Sequence, residues 1–267
     1  MKIILSRKGF DSANGSCPSP IMPDGTLLSL PIPLKNGKDG DKTYADLSYN
    51  GRPYNELIKQ FYSEKNNQYC HIDPDIRKDA FSTIQDGWRP AFGQVDSAQG
   101  YLSNQGVDEN DLFLFFGWFR QVEEMDGSFH YKSNEPDLHI IYGYLQVKKV
   151  LKNWEEIKDY GHHPHADRTR YEKNKSNALY IPRDTLSFDN TKPGYGVLNF
   201  SDDRVLTLPG HSRGIWKNLP MLCPSNLTKE RKNCANGAGI YYRGIWQELV
   251  LKENEETEMW AKEILQS

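Results

Sequence analysis

One stretch, from Gly106 to Val150, limits what this chain can fold into more than any other. Its first half, GVDENDLFLFFGWFRQV, leaves a polar turn for an apolar run, Leu112 to Phe119, that ends on Arg120. Its second half, LHIIYGYLQVKKV, mixes β-branched and aromatic residues with polar ones. Between them, EEMDGSFHYKSNEPD carries the Gly, Asp, Asn, Ser and Pro that punctuate a loop. Two such runs predict an antiparallel hairpin at the centre of the fold. Arg120, His139 and Gln146 lie within it. A polar group buried without a partner costs about 1–3 kcal/mol, so these side chains need partners, and a ligand is one candidate. Exposure of Arg120 and Gln146 to water on alternate positions is the plainer account.

With 267 residues the chain is long enough to bury a substantial core, and it is read as a single domain over 1–267. A charged fraction of 26% and a mean hydropathy of -0.74 describe a polar surface with wide loops. The net charge of -3 supplies no global basic field, so contact with nucleic acid would rest on local patches, while lone nucleotides remain compatible. No apolar run approaches 18 residues, and MKIILSRKGFD reads as a strand rather than a leader. Cys17, Cys70, Cys223 and Cys234 form no CxxC pair, which argues against a zinc ribbon and a disulfide framework. The expectation is a cytoplasmic protein with no membrane partner.

After the first strand comes SRKGFDSANGSCPSPIMPDG, a loop stiffened by Pro18, Pro20 and Pro23. Arg7 and Lys8 suit a phosphate or a carboxylate, or pair on the surface with Asp11. Leu57, Ile58, Phe61 and Tyr62 recur at helical spacing, with Asn55 as a candidate cap. In HIDPDI, His71 to Ile76, Asp73 and Asp75 read as a solvated cap rather than a metal site. FGQVDSAQGYLSNQG packs Gln94, Gln99 and Gln105 among glycines, and its Ser97–Asn104 part predicts a short helix with an anion-attracting N-terminus. Glutamine amides donate and accept, as base edges require. Turn-and-helix packing explains them equally well.

His162, His163 and His165 flank Pro164 beyond the hairpin. No other His or Cys stands at ligand spacing, so no metal set is assigned, and an imidazole that moves a proton or positions substrate is the preferred role. NALYIPRDTLSF and GYGVLNF predict further strands. Arg213 and Trp216, three apart, have the spacing to border one pocket. KERKN reads as a solvated loop, and IYYRGIWQELV as a last strand carrying Arg243, Gln247 and Glu248. A C-terminal amphipathic helix with Met259, Trp260, Ile264 and Leu265 on one side closes the chain.

SRKGFDS, PSPIMPDG, LPIP, FGQVDSAQGYL, DLFLFFGWFR, LHIIYGYLQV, HPH, LTLPGHSRGIW and WQELV, in that order, resemble the third nucleotide modification associated domain family of bacteria and phages. The resemblance implies a nucleotide, a nucleic acid or a modified DNA base as ligand, and names no reaction or cofactor. Where that family closes on arginine-glycine-glutamine-glutamate, RGIWQELV carries two inserted residues. NDLFLFFGW and IIYGYLQV are also similar to the strand pair of PUA-like barrels, the EVE and ASCH domains, which hold a base. QELV after an arginine is similar to the glutamate strand of ADP-ribosyltransferases acting on DNA. There Glu248 would orient the ribose of NAD, with Arg7 or Arg120 on the pyrophosphate.

The resulting expectation is an α+β, β-rich fold with a central mixed or antiparallel barrel-like sheet and a few flanking helices. Its pocket is lined by Arg7, Gln94, Gln99, Arg120, His139, His165 and Glu248, with Asp11, His163, Arg213, Trp216 and Gln247 as further substrate contacts. As an enzyme it would transfer a group to or from a base or ribose, with Glu248 or His165 moving the proton and Arg7 and Arg120 holding the anion. As a reader it would stack a base on Trp118 or Trp216 and read its edge with Gln94 or Gln99.

Overall fold

A computed structural model describes residues 1–267 except 40, 63–67, 84–85, 224–225, 228–234, 237–238 and 267. KERKN and Cys234 lie outside the described residues. The strands that matter here are β1 (Ile3–Arg7), β2 (Ser19–Ile21), β3 (Phe92–Gln94), β4 (Leu112–Met125), β5 (Ser128–Tyr131), β6 (Leu138–Leu151), β7 (Ala178–Pro182), β8 (Tyr195–Val197) and β9 (Glu248–Val250). The helices are α1 (Tyr54–Phe61), α2 (Asp96–Asn104), α3 (Trp154–Ile157), α4 (Arg168–Tyr171) and α5 (Glu255–Gln266). All nine strands belong to one sheet, whose main path runs β9-β1-β4-β6-β7-β3, with β2 and β5 on the far half of β4 and β8 beside β6.

The expected hairpin is present, as β4 and β6 pair antiparallel from Phe119↔Leu138 to Leu112↔Gln146, with a register shift between Ile141 and Gly143. Its connection is more ordered than the composition suggests. Asp126 and Gly127, at φ 52° and 76°, make a tight turn that folds β5 back on the end of β4. An Asp-Gly pair between strand-like runs is the strongest short hairpin signal, and here it lay inside a segment read as loop. β1 runs parallel to β4, from Ile3↔Leu112 to Arg7↔Phe116, which demands the long crossover that contains α1 and α2.

Both faces of the sheet are covered, which is why LFLFF reads as a continuous apolar run. Ile3, Leu5, Leu112, Leu114 and Phe116 face one way, onto Trp216 and the Ala261, Ile264 and Leu265 side of α5. Ile4, Phe113, Phe115 and Val250 face the other, onto Phe92, Leu102 and Tyr180. The second face is concave. Phe92 of β3, at one end of the strand path, packs 4.9 Å from Phe113 in the middle of the sheet. Gln94 of the same strand reaches Glu248 of β9, at the opposite end of the path. The sheet is therefore a curled, mixed half-barrel whose terminal strands meet through side chains.

Three local expectations change. The helix near Asn55 starts at Tyr54, so Asn55 lies inside it and Pro53, in extended backbone, takes the N-cap position without a side-chain cap. IYYRGIWQELV is not one strand, because a turn at 244–245 separates Gly239–Tyr241 from β9. On α5 the buried residues are Thr257, Ala261, Ile264 and Leu265, while Met259 is 59% exposed. No helix among the described residues is long and apolar enough to cross a membrane.

Candidate functional sites on the two faces of the sheet

Strand periodicity sends alternate residues to opposite faces, and the end of β1 spells two different sites. Ser6 and Lys8 point into the concave face, and Arg7 points to the convex one. On the concave side Glu248 stands opposite Ser6 in the β1–β9 register. Its Oε1 accepts from Gln94 Nε2 at 2.6 Å and from Ser6 Oγ at 3.0 Å. Lys8 Nζ lies 3.6 Å from the same oxygen, 3.7 Å from Asp73 Oδ2 and 4.2 Å over the Phe92 ring. Glu248 Oε2 is buried with no partner.

Asp73 belongs to HIDPDI, the turn read as a solvated cap, and that reading fails because its carboxylate is 5% exposed. The Gly93 N–H donates to Asp73 Oδ1 at 2.6 Å. Asp75 is buried as well and accepts from Trp88 Nε1 at 3.0 Å. A 3-10 turn at Pro164–Ala166 delivers His163 and His165 to the same place. The His165 N–H donates to His163 Nδ1 at 3.2 Å, so the proton of a neutral His163 sits on Nε2, 3.4 Å from Asp73 Oδ1. Asn177 Nδ2 donates to the His165 carbonyl, which fixes Asn177 Oδ1 as an acceptor, 2.7 Å from His165 Nδ1. His165 is therefore protonated on Nδ1 and bare on Nε2. Its ring stacks on Tyr171 at 4.8 Å, and a Cβ at position 93 would stand 2.3 Å from its Cδ2, so Gly93 is required by this approach.

Burial dominates the electrostatics of this cluster. It raises the Glu248 carboxyl, against the opposing pull of Lys8, Ser6 and Gln94. It opposes ionisation of Asp73 too, yet there Lys8 and the contact from His163 hold the carboxyl well below the usual range. Burial lowers His71 to about 4 and His165 to about 3, so both imidazoles are neutral.

On the convex side Arg7, Asp11, Ser12, Trp118, His139, Arg213, Tyr241 and Tyr242 line a cavity of about 250 Å3. The Arg213 guanidinium stacks 3.9 Å over Trp118 and donates to Ser12 Oγ at 2.5 Å. Arg7 donates to Asp11 at 2.9 Å and to the Gly244 carbonyl at 2.8 Å, which is the ion pair that the sequence offered as the plain alternative. Arg7 Nε and Trp118 Nε1 are nevertheless buried donors without an acceptor. Behind them Trp216 Nε1 donates to His139 Nδ1 at 3.0 Å, leaving the His139 proton on Nε2.

Burial, then Arg213 and Arg7, pushes His139 down to about 3. Since the unfolded chain binds this proton near pH 6.5 and the folded chain does not, His139 favours unfolding as pH falls through that window. Stability is full above about pH 6.5 and falls by about 1.4 kcal/mol per pH unit from this group between pH 6 and 4. Urea denaturation of the wild type and of His139→Asn across that range checks this. The variant should lose about one proton's worth of slope, and an unchanged slope would show that the ring is charged in the fold.

The pocket expected from sequence is thus divided by the sheet. Gln94, His163, His165 and Glu248 meet on the concave face; Arg7, Asp11, His139 and Arg213 meet on the convex one. Trp216 joins neither as a contact surface, because it is fully buried and stacked on Tyr242. Arg213 uses Trp118 in its place. Arg120 donates to the carbonyls of Lys132 and Ser133 and lies 3.8 Å from Asp137, which also faces Arg213. Gln99 is held by Ser103 and Tyr180, Gln146 by Asn110 and Ser187, and Gln247 is exposed. The α2 N-terminus carries Asp96, which accepts from Asn174 and Ser176, so the chain supplies its own anion there. Sequence reasoning passed over Ser6, Asn177 and the depth of Asp73. The one available signal is that Lys8, just past the end of β1, continues the alternation of Ser6 and Arg7.

The half-barrel with a polar cluster on each face defines an α+β protein with two candidate sites. The chain belongs to the nucleotide modification associated domain 3 family, whose sequence model matches residues 2–255. No curated protein matches the chain, and neither does any solved structure.

Proposed function

We propose that the convex cavity binds one nucleotide unit, free or within DNA, and that the protein is a reader of that unit in a nucleotide-modification system. The observation that carries this reading is the pair of buried, unpartnered donors, Arg7 Nε and Trp118 Nε1, in a cavity also lined by Arg213 and His139. Guanidinium groups suit phosphate oxygens, and the Trp118 and Tyr241 rings offer faces to a base. At about 250 Å3 the cavity lies just below the range of about 300 to 1,000 Å3 typical of ligand pockets. The family's association with nucleotide modification supports the same ligand class.

Group transfer is the second reading, and the unpartnered Glu248 Oε2 is what favours it. Against it, Glu248 and His165 are closed off on the concave face, and Arg7 is turned away from them. An ADP-ribosyltransferase arrangement, with Arg7 on the pyrophosphate and Glu248 on the ribose, would need both in one pocket. Arg120 also lies outside the concave cluster.

Calorimetric titration with 5′-mononucleotides of ordinary and modified bases, followed by product analysis, tests the proposal. Binding without turnover is expected. Arg213→Ala should weaken it about 10- to 100-fold, the value of a charge-assisted hydrogen bond of about 1.5–3 kcal/mol. Unaltered affinity in Arg213→Ala would remove the convex site, and a product dependent on Glu248 would establish the transferase.

A further inference from the structure

We propose that His71, Asp73 and His165 form a site for one first-row divalent transition-metal ion on the concave face of the sheet. Each offers one donor atom, and the three donors lie within 4.8 Å of one another. Donors around a zinc-like ion at about 2.0–2.1 Å stand about 3.3 Å apart in tetrahedral geometry, so side-chain shifts of about 1 Å close the set. The three come from two distant parts of the chain, the His71–Asp73 turn and the Pro164–Ala166 turn, and Gly93 admits the His165 ring between them.

The donors are already in the form that a metal requires. His165 presents a bare Nε2 because Asn177 Oδ1 takes its other proton at 2.7 Å, the outer-shell hydrogen bond that orients metal-bound imidazoles. Asp73 is held by the Gly93 N–H at 2.6 Å. The charge balance points the same way. Asp73 and Glu248 bring two carboxyl groups to one buried place and Lys8 is the cation between them, at 3.7 and 3.6 Å.

Independent of the donor set, one buried acceptor there lacks a hydrogen-bond partner, Glu248 Oε2, on a side chain 1% exposed. Two imidazoles with one carboxylate select zinc, iron or a similar ion over magnesium and calcium, which prefer all-oxygen sets. Three protein ligands leave at least one position for water or a ligand. Chain neighbours of the donors, Cys70, Ile72, His163 and Pro164, line a cavity of about 280 Å3 beside the cluster.

This site does not depend on what the convex cavity holds. Chelator-stripped protein titrated with Zn2+ and with Co2+ tests it. One equivalent is expected to bind, with the visible d–d absorption of low-coordinate Co2+. X-ray absorption at the zinc edge of the wild type should show two imidazoles and oxygen, with no sulfur. Asn177→Ala should weaken binding about 10- to 100-fold, as loss of an outer-shell partner does. His71→Gln and His165→Gln should abolish the single site, with folding checked by near-ultraviolet circular dichroism. Absence of stoichiometric binding by the wild type, or an absorption edge without imidazole, overturns the proposal whether or not the variants fold.

Discussion

Lys8→Met should lower the unfolding free energy by about 3–5 kcal/mol, the cost of breaking a buried ion pair by removing one partner. Lys8 is 6% exposed and stands between Asp73 and Glu248, so its loss leaves two carboxyl groups facing each other without a cation. Methionine keeps the apolar contact with Phe92 and removes only the charge. Glu248→Gln in the same background should recover part of the loss, since it removes a carboxyl whose charged form burial disfavours. Alone it should cost less, because Ser6 and Gln94 still have an oxygen to donate to. Urea denaturation of the four proteins in this cycle at pH 7 gives the coupling energy directly. A loss below about 1 kcal/mol for Lys8→Met, the value of an exposed pair, would mean that water reaches the cluster.

The same charges show why some of this architecture was legible in the sequence and some was not. The β4–β6 hairpin was readable because an apolar run, a turn-rich connection and a β-branched run are local signals. The parallel pairing of β1 with β4 was not, since it joins Ile3 to Leu112 across more than a hundred residues. Site residues followed the same division. Gln94, His165 and Glu248 stand out by residue type, and they come together on the concave face. Asp73 does not stand out, because two carboxylates in a Pro-containing turn look solvated until β3 is laid against them and Gly93 donates to one. The failures concern faces rather than residue types. Arg213 and Trp216 are three apart, but the short strand Ile215–Trp216 turns Trp216 into the core while Arg213 remains at the cavity.

That division of faces also ranks the functional readings. A transferase that used Arg7 for the anion and Glu248 for the proton needs both on one side of β1, and adjacent strand positions forbid it. Ser6 and Lys8 go with Glu248, and Arg7 goes with His139, Trp118 and Arg213. Any coupling between the two sites would have to pass through β1 itself. An anion that draws Arg7 from Asp11 acts on a residue bonded through its N–H to the Gln247 carbonyl, one position from Glu248.

The two tryptophans near the convex cavity should respond oppositely to truncation, and this contrast carries the second large effect. Trp216→Ala should cost about 3–5 kcal/mol in folding, as a fully buried aromatic does. Its ring is stacked 4.6 Å from Tyr242, lies edge-on to Phe116 at 5.1 Å and donates to His139 at 3.0 Å. Trp216→Phe separates the two contributions. It preserves most of the packing but leaves His139 Nδ1 without its donor, for a loss of about 1–3 kcal/mol. Trp118→Ala removes a half-buried ring whose visible partner is Arg213, so it should weaken nucleotide binding more than it weakens the fold. Denaturation midpoints and mononucleotide titrations on the three variants decide the matter. Were Trp216→Ala to fold like wild type and lose the ligand, the tryptophan that contacts the base would be Trp216, and the convex cavity would have to open as far as the core. If Trp118→Ala alone loses the ligand, the stacked Arg213–Trp118 pair is the recognition element.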